Sequence, residues 1–172
     1  MKLKWFFIAC SVSLISTAFA ADPDWVLQSS KDVMTDEVSE SLWLDSFSTH
    51  TYLGKKHKIQ LILDCNKKKK DLVIAVANNK PLLSESVRSS SLIVETRLDA
   101  DPMKEYRGFV NGSKFMYIPD PMFALDVIDL KHSKLLIRYR DILQTETVEF
   151  KLPQKSKKVA QYWMKCLSSN KQ

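Results

Sequence analysis

Glycine, cysteine and histidine are scarce in this sequence, with three residues of each among 172. Phosphate-binding loops need clustered glycines, and three in the whole chain are too few to build one. The sequence also has neither a G-x-S-x-G nucleophile elbow nor a C-x-x-C redox motif. We therefore expect no nucleotide-binding motif, no cofactor and no catalytic residues.

The histidines show no metal-ligand pattern. A zinc site favours close helical or hairpin spacing of histidines with carboxylates or thiolates. His50 and His57 flank a polar turn, and His132 stands alone in another. We interpret all three as turn or surface residues and expect no metal site.

The first twenty residues have the layout of a signal peptide. Lys2 and Lys4 precede an apolar stretch that ends in the small-x-small sequence Ala-Phe-Ala. Cleavage after Ala20 would leave residues 21–172 as a single β-rich domain without a membrane span. An uncleaved anchor is the alternative, but serines and a threonine interrupt a stretch that is short for a span of about 20 residues. Cys10 has a poor lipoprotein box and is expected to leave with the leader.

The charge is mildly basic rather than strongly so. Removing the leader with its two lysines from the 26 basic residues leaves 24 against 20 acidic ones, a net charge of +4. The one dense cluster is Lys67, Lys68, Lys69 and Lys70, which has no stacking aromatic residue beside it. Nucleic-acid binders usually combine clustered basic residues with stacking aromatic residues, so we expect no nucleic-acid partner. The run is interpreted as a solvated turn, with an anion-binding turn as the alternative.

Beyond the leader the dominant hydrophobic period is two, which is typical of strands. From Ile59 to Cys65 every second residue is apolar, and the run from Leu72 to Val76 follows after the lysines, which predicts a hairpin. Asn111-Gly112 predicts a second hairpin, because both residues tolerate positive φ. The run from Ser91 to Leu98 alternates in the same way and places Ile93, Glu95 and Arg97 on its outward side.

Two segments carry helix signals instead. Asp120-Pro121 predicts the start of a short helix that reaches about Leu130. Val159, Tyr162, Trp163 and Cys166 follow the i, i+3, i+4, i+7 spacing of an amphipathic helix. The fold is therefore predicted to be mainly β, a two-layer antiparallel β-sandwich-like domain with a C-terminal amphipathic helix.

Two cysteines remain after cleavage, in a compartment where thiols become oxidised. Strand periodicity places Cys65 on a buried face, and helix periodicity does the same for Cys166. We predict a disulfide between them. On the chain-entropy model, closing a loop of about 100 residues stabilises the fold by roughly 4 to 5 kcal/mol before strain is deducted.

Several short segments occur in a recognisable order. They are the signal peptide, Trp25-Val26-Leu27-Gln28-Ser29, Met34-Thr35-Asp36, the strand ending in Cys65, Arg97-Leu98-Asp99, Phe150 and the helix carrying Cys166. This order resembles the VasI/TagO family of type VI secretion-associated periplasmic proteins over nearly the whole mature chain. Two positions depart from the family pattern: Tyr106 stands where a tryptophan is usual, and Pro153-Gln154-Lys155 replaces a Gly-Leu entry to the last helix. The departures leave open a phage- or plasmid-borne relative, or an unrelated exported domain.

The resemblance implies a periplasmic or secreted, non-enzymatic accessory protein of the bacterial cell envelope. It would act by protein-protein contact with a periplasmic or envelope protein and would help to assemble or regulate a secretion machine. Under this hypothesis Arg97, Asp99 and Tyr106 are the candidate contact residues. Arg97 is expected to point outward from its strand, with Asp99 following on the same side.

Two other functions remain open. The first is an exported binder or inhibitor of an envelope enzyme or anionic glycan, which would grip its target through the lysine turn at residues 67–70. The second is a small hydrolase that uses a carboxylate pair from the closely spaced Asp99, Asp101 and Glu105.

Overall fold

The computed structural model describes residues 23–31, 34, 36, 38–66, 69–78, 91–111, 114–129, 131–140, 145–154 and 156–168. The predicted signal peptide with Cys10 lies outside the described residues, as do Lys67, Lys68 and Gly112.

Strands dominate this part of the chain. They are β1 (Val26–Lys31), β2 (Val38–Asp45), β3 (His50–Tyr52), β4 (Lys55–His57), β5 (Gln60–Asn66), β6 (Asp71–Ala77), β7 (Ser91–Leu98), β8 (Lys104–Asn111), β9 (Phe115–Ile118), β10 (Lys134–Arg140) and β11 (Thr145–Lys151). The helices are α1 (Pro121–Ile128), between β9 and β10, and α2 (Lys157–Ser168), after β11.

Nine strands form one antiparallel sheet in the order β1-β2-β5-β6-β9-β8-β7-β10-β11, and β3 pairs with β4 in a separate hairpin. The observed strand pairing confirms both predicted hairpins. Cys65 lies opposite Leu72 in β5 and β6, and Asn111 lies opposite Phe115 in β8 and β9. The prediction of a mainly β antiparallel fold with a C-terminal helix is therefore confirmed.

The sheet curves around its apolar face. Alternate residues of β2, β5, β6, β7, β9, β10 and β11 form one buried cluster, which includes Leu42, Leu63 and Phe150. The amide of Phe47, just after β2, donates a 2.7 Å hydrogen bond to the carbonyl of Glu149 in β11. Because β2 and β11 stand near opposite ends of the strand order, this bond shows that the sheet folds back on itself. The curvature places two layers of strands face to face around the core.

Helix α1 begins as the sequence predicts. Asp120 is its N-cap, and the carboxylate accepts a hydrogen bond of 2.9 Å from the amide of Phe123. Pro121 occupies the first helical position, where a missing N–H costs nothing. The buried side of α1 carries Phe123, Ala124 and Val127, and the helix packs against β6.

Helix α2 packs against β5 and β6 through Val159, Tyr162 and Cys166. The disulfide between Cys65 and Cys166 is confirmed, with the Cα atoms 5.8 Å apart and a sequence separation of 101. The hydroxyl of Tyr162 donates to the carbonyl of Glu40 at 2.7 Å, and burial raises the pKa of this phenol. Neither helix of the described chain is long and apolar enough to cross a bilayer.

Candidate interaction surface

The structure separates two of the three predicted contact residues. Arg97 lies in register with Leu136 of β10, on the outer side of the sheet, where it is half-buried. Tyr106 is in register with Val94, which is fully buried, so Tyr106 belongs to the inner side. Its ring packs against Phe123 of α1 with ring centres 4.8 Å apart. Arg97 and Tyr106 therefore do not form one patch on the same face.

Asp99 does not continue the outward side of β7. It follows the last residue of that strand with a φ of 43°, so the alternation of the strand ends before it. Its carboxylate accepts hydrogen bonds from the amide and hydroxyl of Ser133 and from the amide of Lys134. His132 Nδ1 lies 3.3 Å from the same carboxylate. Asp99 thus anchors the turn that leads into β10, and its use in a carboxylate pair stays a prediction.

A groove lies on the outer face of β8, β7 and β10. Its volume is about 1030 Å³. The side chains that give it chemical character are Ile93, Glu95, Glu105, Arg107, Arg138 and Arg140. These side chains come from the odd-numbered residues of β7 and β8 and from the even-numbered residues of β10. On these strands only those residues point away from the core.

One ion pair forms part of the groove wall. Arg138 lies in register with Glu95, and its Nε donates to the Glu95 carboxylate. An Arg138 terminal nitrogen lies 3.3 Å from the sulfur of Met103. The hydrogen bond from Arg138 lowers the pKa of Glu95. These contacts hold Arg138 in place, so it is less available to a ligand than its neighbours.

Two other arginines flank an exposed apolar side chain. Arg107 lies in register with Ile93 on one side. Val94 pairs with Tyr139, so the antiparallel register places Arg140 beside Ile93 on the other side. Ile93 is 61% exposed. Neither Arg107 nor Arg140 forms an ion pair with any residue that the structure describes.

An apolar row crosses the outer face next to the groove. Its members are register neighbours on five strands: Trp43, Ile62, Ala75, Tyr117 and Phe109. Ile62 is only 5% exposed although it points away from the core, whereas Phe109 is 44% exposed. Phe109 follows Arg107, the last groove residue on β8, by two residues, so the apolar row runs up to the edge of the groove.

The lysine turn is partly described. The amide of Lys69 donates to the side chain of Asn66, and the amide of Lys70 donates to the Asn66 carbonyl. Lys70 has a φ of 58°, as a tight turn between β5 and β6 requires. Both lysine side chains are exposed. The turn prediction is confirmed for these residues, and anion binding stays a prediction.

A serine, a histidine and a carboxylate meet where the β3–β4 hairpin touches β11. Ser48 Oγ lies 3.2 Å from His50 Nε2, and His50 Nδ1 lies 2.9 Å from Glu146 Oε1. A nucleophilic serine needs such a base and orienting group. Ser48 and His50 do not line the groove on β8, β7 and β10. The contacts of His50 join the β3–β4 hairpin to β11, the last strand of the sheet.

The second histidine of the hairpin has an equivalent structural contact. His57 lies in register with His50, and its Nε2 is 3.2 Å from the side-chain oxygen of Asn78. The Asn78 amide donates to the hydroxyl of Tyr139 at 2.8 Å. Among the described residues no group of three or more His, Cys, Asp or Glu side chains is placed to hold a metal ion.

Comparison with protein-family models, curated proteins and solved structures found no match to this chain.

Proposed function

We propose that this chain is an exported accessory protein of the bacterial cell envelope that acts by protein-protein contact through the groove on β8, β7 and β10. The observation that carries the proposal is Ile93, an exposed apolar side chain with an arginine on each side that forms no ion pair with any described residue. The function is the one implied by the resemblance to the VasI/TagO family of type VI secretion-associated proteins.

The composition of the groove supports binding rather than chemistry. Protein interfaces combine an apolar centre with a polar rim, and arginine is enriched in them. The groove has Ile93 on its middle strand, with Arg107 and Arg140 on the strands at either side. Its side chains stand on paired strands, so the backbone beneath them loses little conformational freedom when a partner binds.

The disulfide supports the export part of the proposal. Disulfides form and persist in oxidising compartments such as the bacterial periplasm and the extracellular space. Cys65 and Cys166 are bonded to each other, and the signal-peptide layout of residues 1–20 gives the chain a route to such a compartment.

Affinity capture from the envelope of cells that carry the gene tests this function. The oxidised protein is compared with R107E/R140E and with K69E/K70E, which makes the same change in charge at the β5–β6 turn. We expect the wild type and K69E/K70E to retain the same envelope proteins, including secretion components, and R107E/R140E to lose them. Recovery of no envelope protein by folded wild type, or equal recovery by R107E/R140E, would reject the proposal.

The second candidate is binding of an anionic glycan or envelope enzyme through the lysine turn. It is favoured by the exposure of Lys69 and Lys70, whose backbone amides and not their side chains form the turn. The same variants separate the two functions. Loss of a salt-sensitive association in K69E/K70E, with R107E/R140E unaffected, would favour this candidate.

A further inference from the structure

We infer that the groove receives a polypeptide segment in which an apolar side chain stands between two carboxylates. This inference rests on the proposed function and specifies the chemistry of the partner. It is carried by the row formed by Arg107, Ile93 and Arg140 across three neighbouring strands.

The spacing of the row suits two separate anionic groups. Neighbouring strands lie about 4.8 Å apart, so the backbones of Arg107 and Arg140 are roughly 9.6 Å apart with Ile93 midway. Each guanidinium is planar and binds a carboxylate through two parallel hydrogen bonds. An apolar partner side chain that covers Ile93 would therefore bring one carboxylate to each arginine if acidic residues flank it.

Acidic residues in the groove favour a polypeptide over a uniform polyanion. Glu105 stands two residues before Arg107 on the outer side of β8, roughly 7 Å away along the strand. It lies in register with Glu95 and forms no ion pair within the described chain, because Arg138 pairs with Glu95 instead. An anionic glycan or lipid surface would place negative charge against Glu105 as well as against the arginines. A polypeptide can present carboxylates to Arg107 and Arg140 and a neutral or basic group to Glu105.

Ile93 also argues against a purely ionic ligand. Its side chain is exposed between two charged groups, where only an apolar surface removes it from water favourably. Phe109 at the edge of the groove extends the apolar contact beyond the arginine row. A partner segment with a single apolar residue at its centre can pack against Ile93 while its carboxylates bind Arg107 and Arg140.

Photocrosslinking from the groove tests the inference. Ser91 lines the groove beside Ile93 and is replaced by p-benzoylphenylalanine in the full-length precursor, which leaves Ile93 and the arginines in place. The protein is expressed in cells that carry the gene, and the adduct is mapped by mass spectrometry. The same substitution is made in R107E/R140E and K69E/K70E backgrounds.

We expect an adduct with a polypeptide segment that has acidic residues on both sides of an apolar one. The adduct yield should fall at least tenfold in R107E/R140E and stay unchanged in K69E/K70E. Replacing the two partner acids by lysine should restore the yield in R107E/R140E, because each reversed pair regains opposite charges.

The failures are distinguishable. An adduct on a polypeptide segment without flanking acids overturns the inference and leaves protein contact intact. An adduct that survives R107E/R140E unchanged overturns the inference together with the proposed function, which depends on the two arginines. An adduct on lipid or glycan, or none from folded protein, overturns the inference together with the proposed function.

Discussion

The carboxylate of Asp99 accepts hydrogen bonds from both the backbone amide and the side-chain hydroxyl of Ser133. Oδ1 accepts from the hydroxyl at 2.7 Å and from the amide at 3.2 Å. We expect Asp99→Ala to lower the free energy of unfolding by about 2 kcal/mol, because hydrogen bonds to a charged acceptor are worth roughly 1.5 to 3 kcal/mol. Asp99→Asn should cost less, since the amide keeps one acceptor and tolerates the φ of 43°. Urea denaturation measures both, and equal losses would contradict this account.

The same carboxyl makes stability depend on pH. Burial raises the pKa of Asp99, but the hydrogen bonds from Ser133, His132 and Lys134 outweigh it and hold the pKa below its ordinary value of 3.8. A lowered pKa in the folded state stabilises the fold above the unfolded value and is lost as the pH falls through the folded one. We therefore expect the urea concentration at the unfolding midpoint to decrease as the pH is lowered below about 4. The decrease should be less steep in Asp99→Asn. Identical pH profiles for the wild type and Asp99→Asn would contradict this role of the Asp99 carboxyl.

Gly108 faces the core where β8 passes between β7 and β9. A Cβ at this position would lie 2.7 Å from Val94 Cγ2 and 3.0 Å from Met116 Cγ. We expect Gly108→Ala to destabilise the fold by about 1 to 3 kcal/mol through overpacking. Val94→Ala removes the closest atom, so the double variant should be more stable than the sum of the two single losses predicts. Additive losses in thermal denaturation would rule out this steric cause.

The disulfide should contribute strongly to stability. Cys65 and Cys166 are 101 residues apart in sequence, and the chain-entropy model assigns roughly 4 to 5 kcal/mol to a loop of this size. We expect the C65A/C166A variant to unfold at a lower urea concentration than the oxidised wild type. Adding a reductant should shift the wild type toward the variant and leave the variant unchanged. A loss of less than about 1 kcal/mol would show that α2 stays docked without the bond.

We expect Ser48 to be unreactive toward a fluorophosphonate probe. His50 and Glu146 join the β3–β4 hairpin to β11, and the main groove does not include Ser48. An acyl-transfer site also needs hydrogen-bond donors aimed at the developing oxyanion. Intact-mass analysis after incubation measures the labelling, with a known serine hydrolase as the positive control. Labelling of the wild type that disappears in Ser48→Ala would instead identify a serine nucleophile.

Periodicity was enough to predict those features that depend on one strand or one helix. The alternation that ends at Cys65 and the helical stripe that ends at Cys166 each identify an inward side chain, and the expectation of export predicts the bond between them. Asp120-Pro121 is similarly local, because an N-cap is satisfied within its own helix.

The groove could not be predicted in the same way. The outward positions of Ile93, Arg138 and Arg140 follow from alternation, but their proximity depends on β7 lying between β8 and β10. Strand order arises from the packing of the whole sheet and has no local signal. Asp99 illustrates another limit, since its positive φ removes it from the face on which a regular strand would have placed it.

The curvature of the sheet leaves its two edges unequal. Among the described strands β1 and β11 each have one strand neighbour. The amide of Phe47 already donates to the carbonyl of Glu149 in β11, whereas all six residues of β1 are exposed. An open edge is a template for addition of another strand. Continuous growth of a fibre needs two complementary edges, but pairing through β1 alone joins two copies symmetrically and then stops. Self-association through β1 alone would therefore end at a dimer.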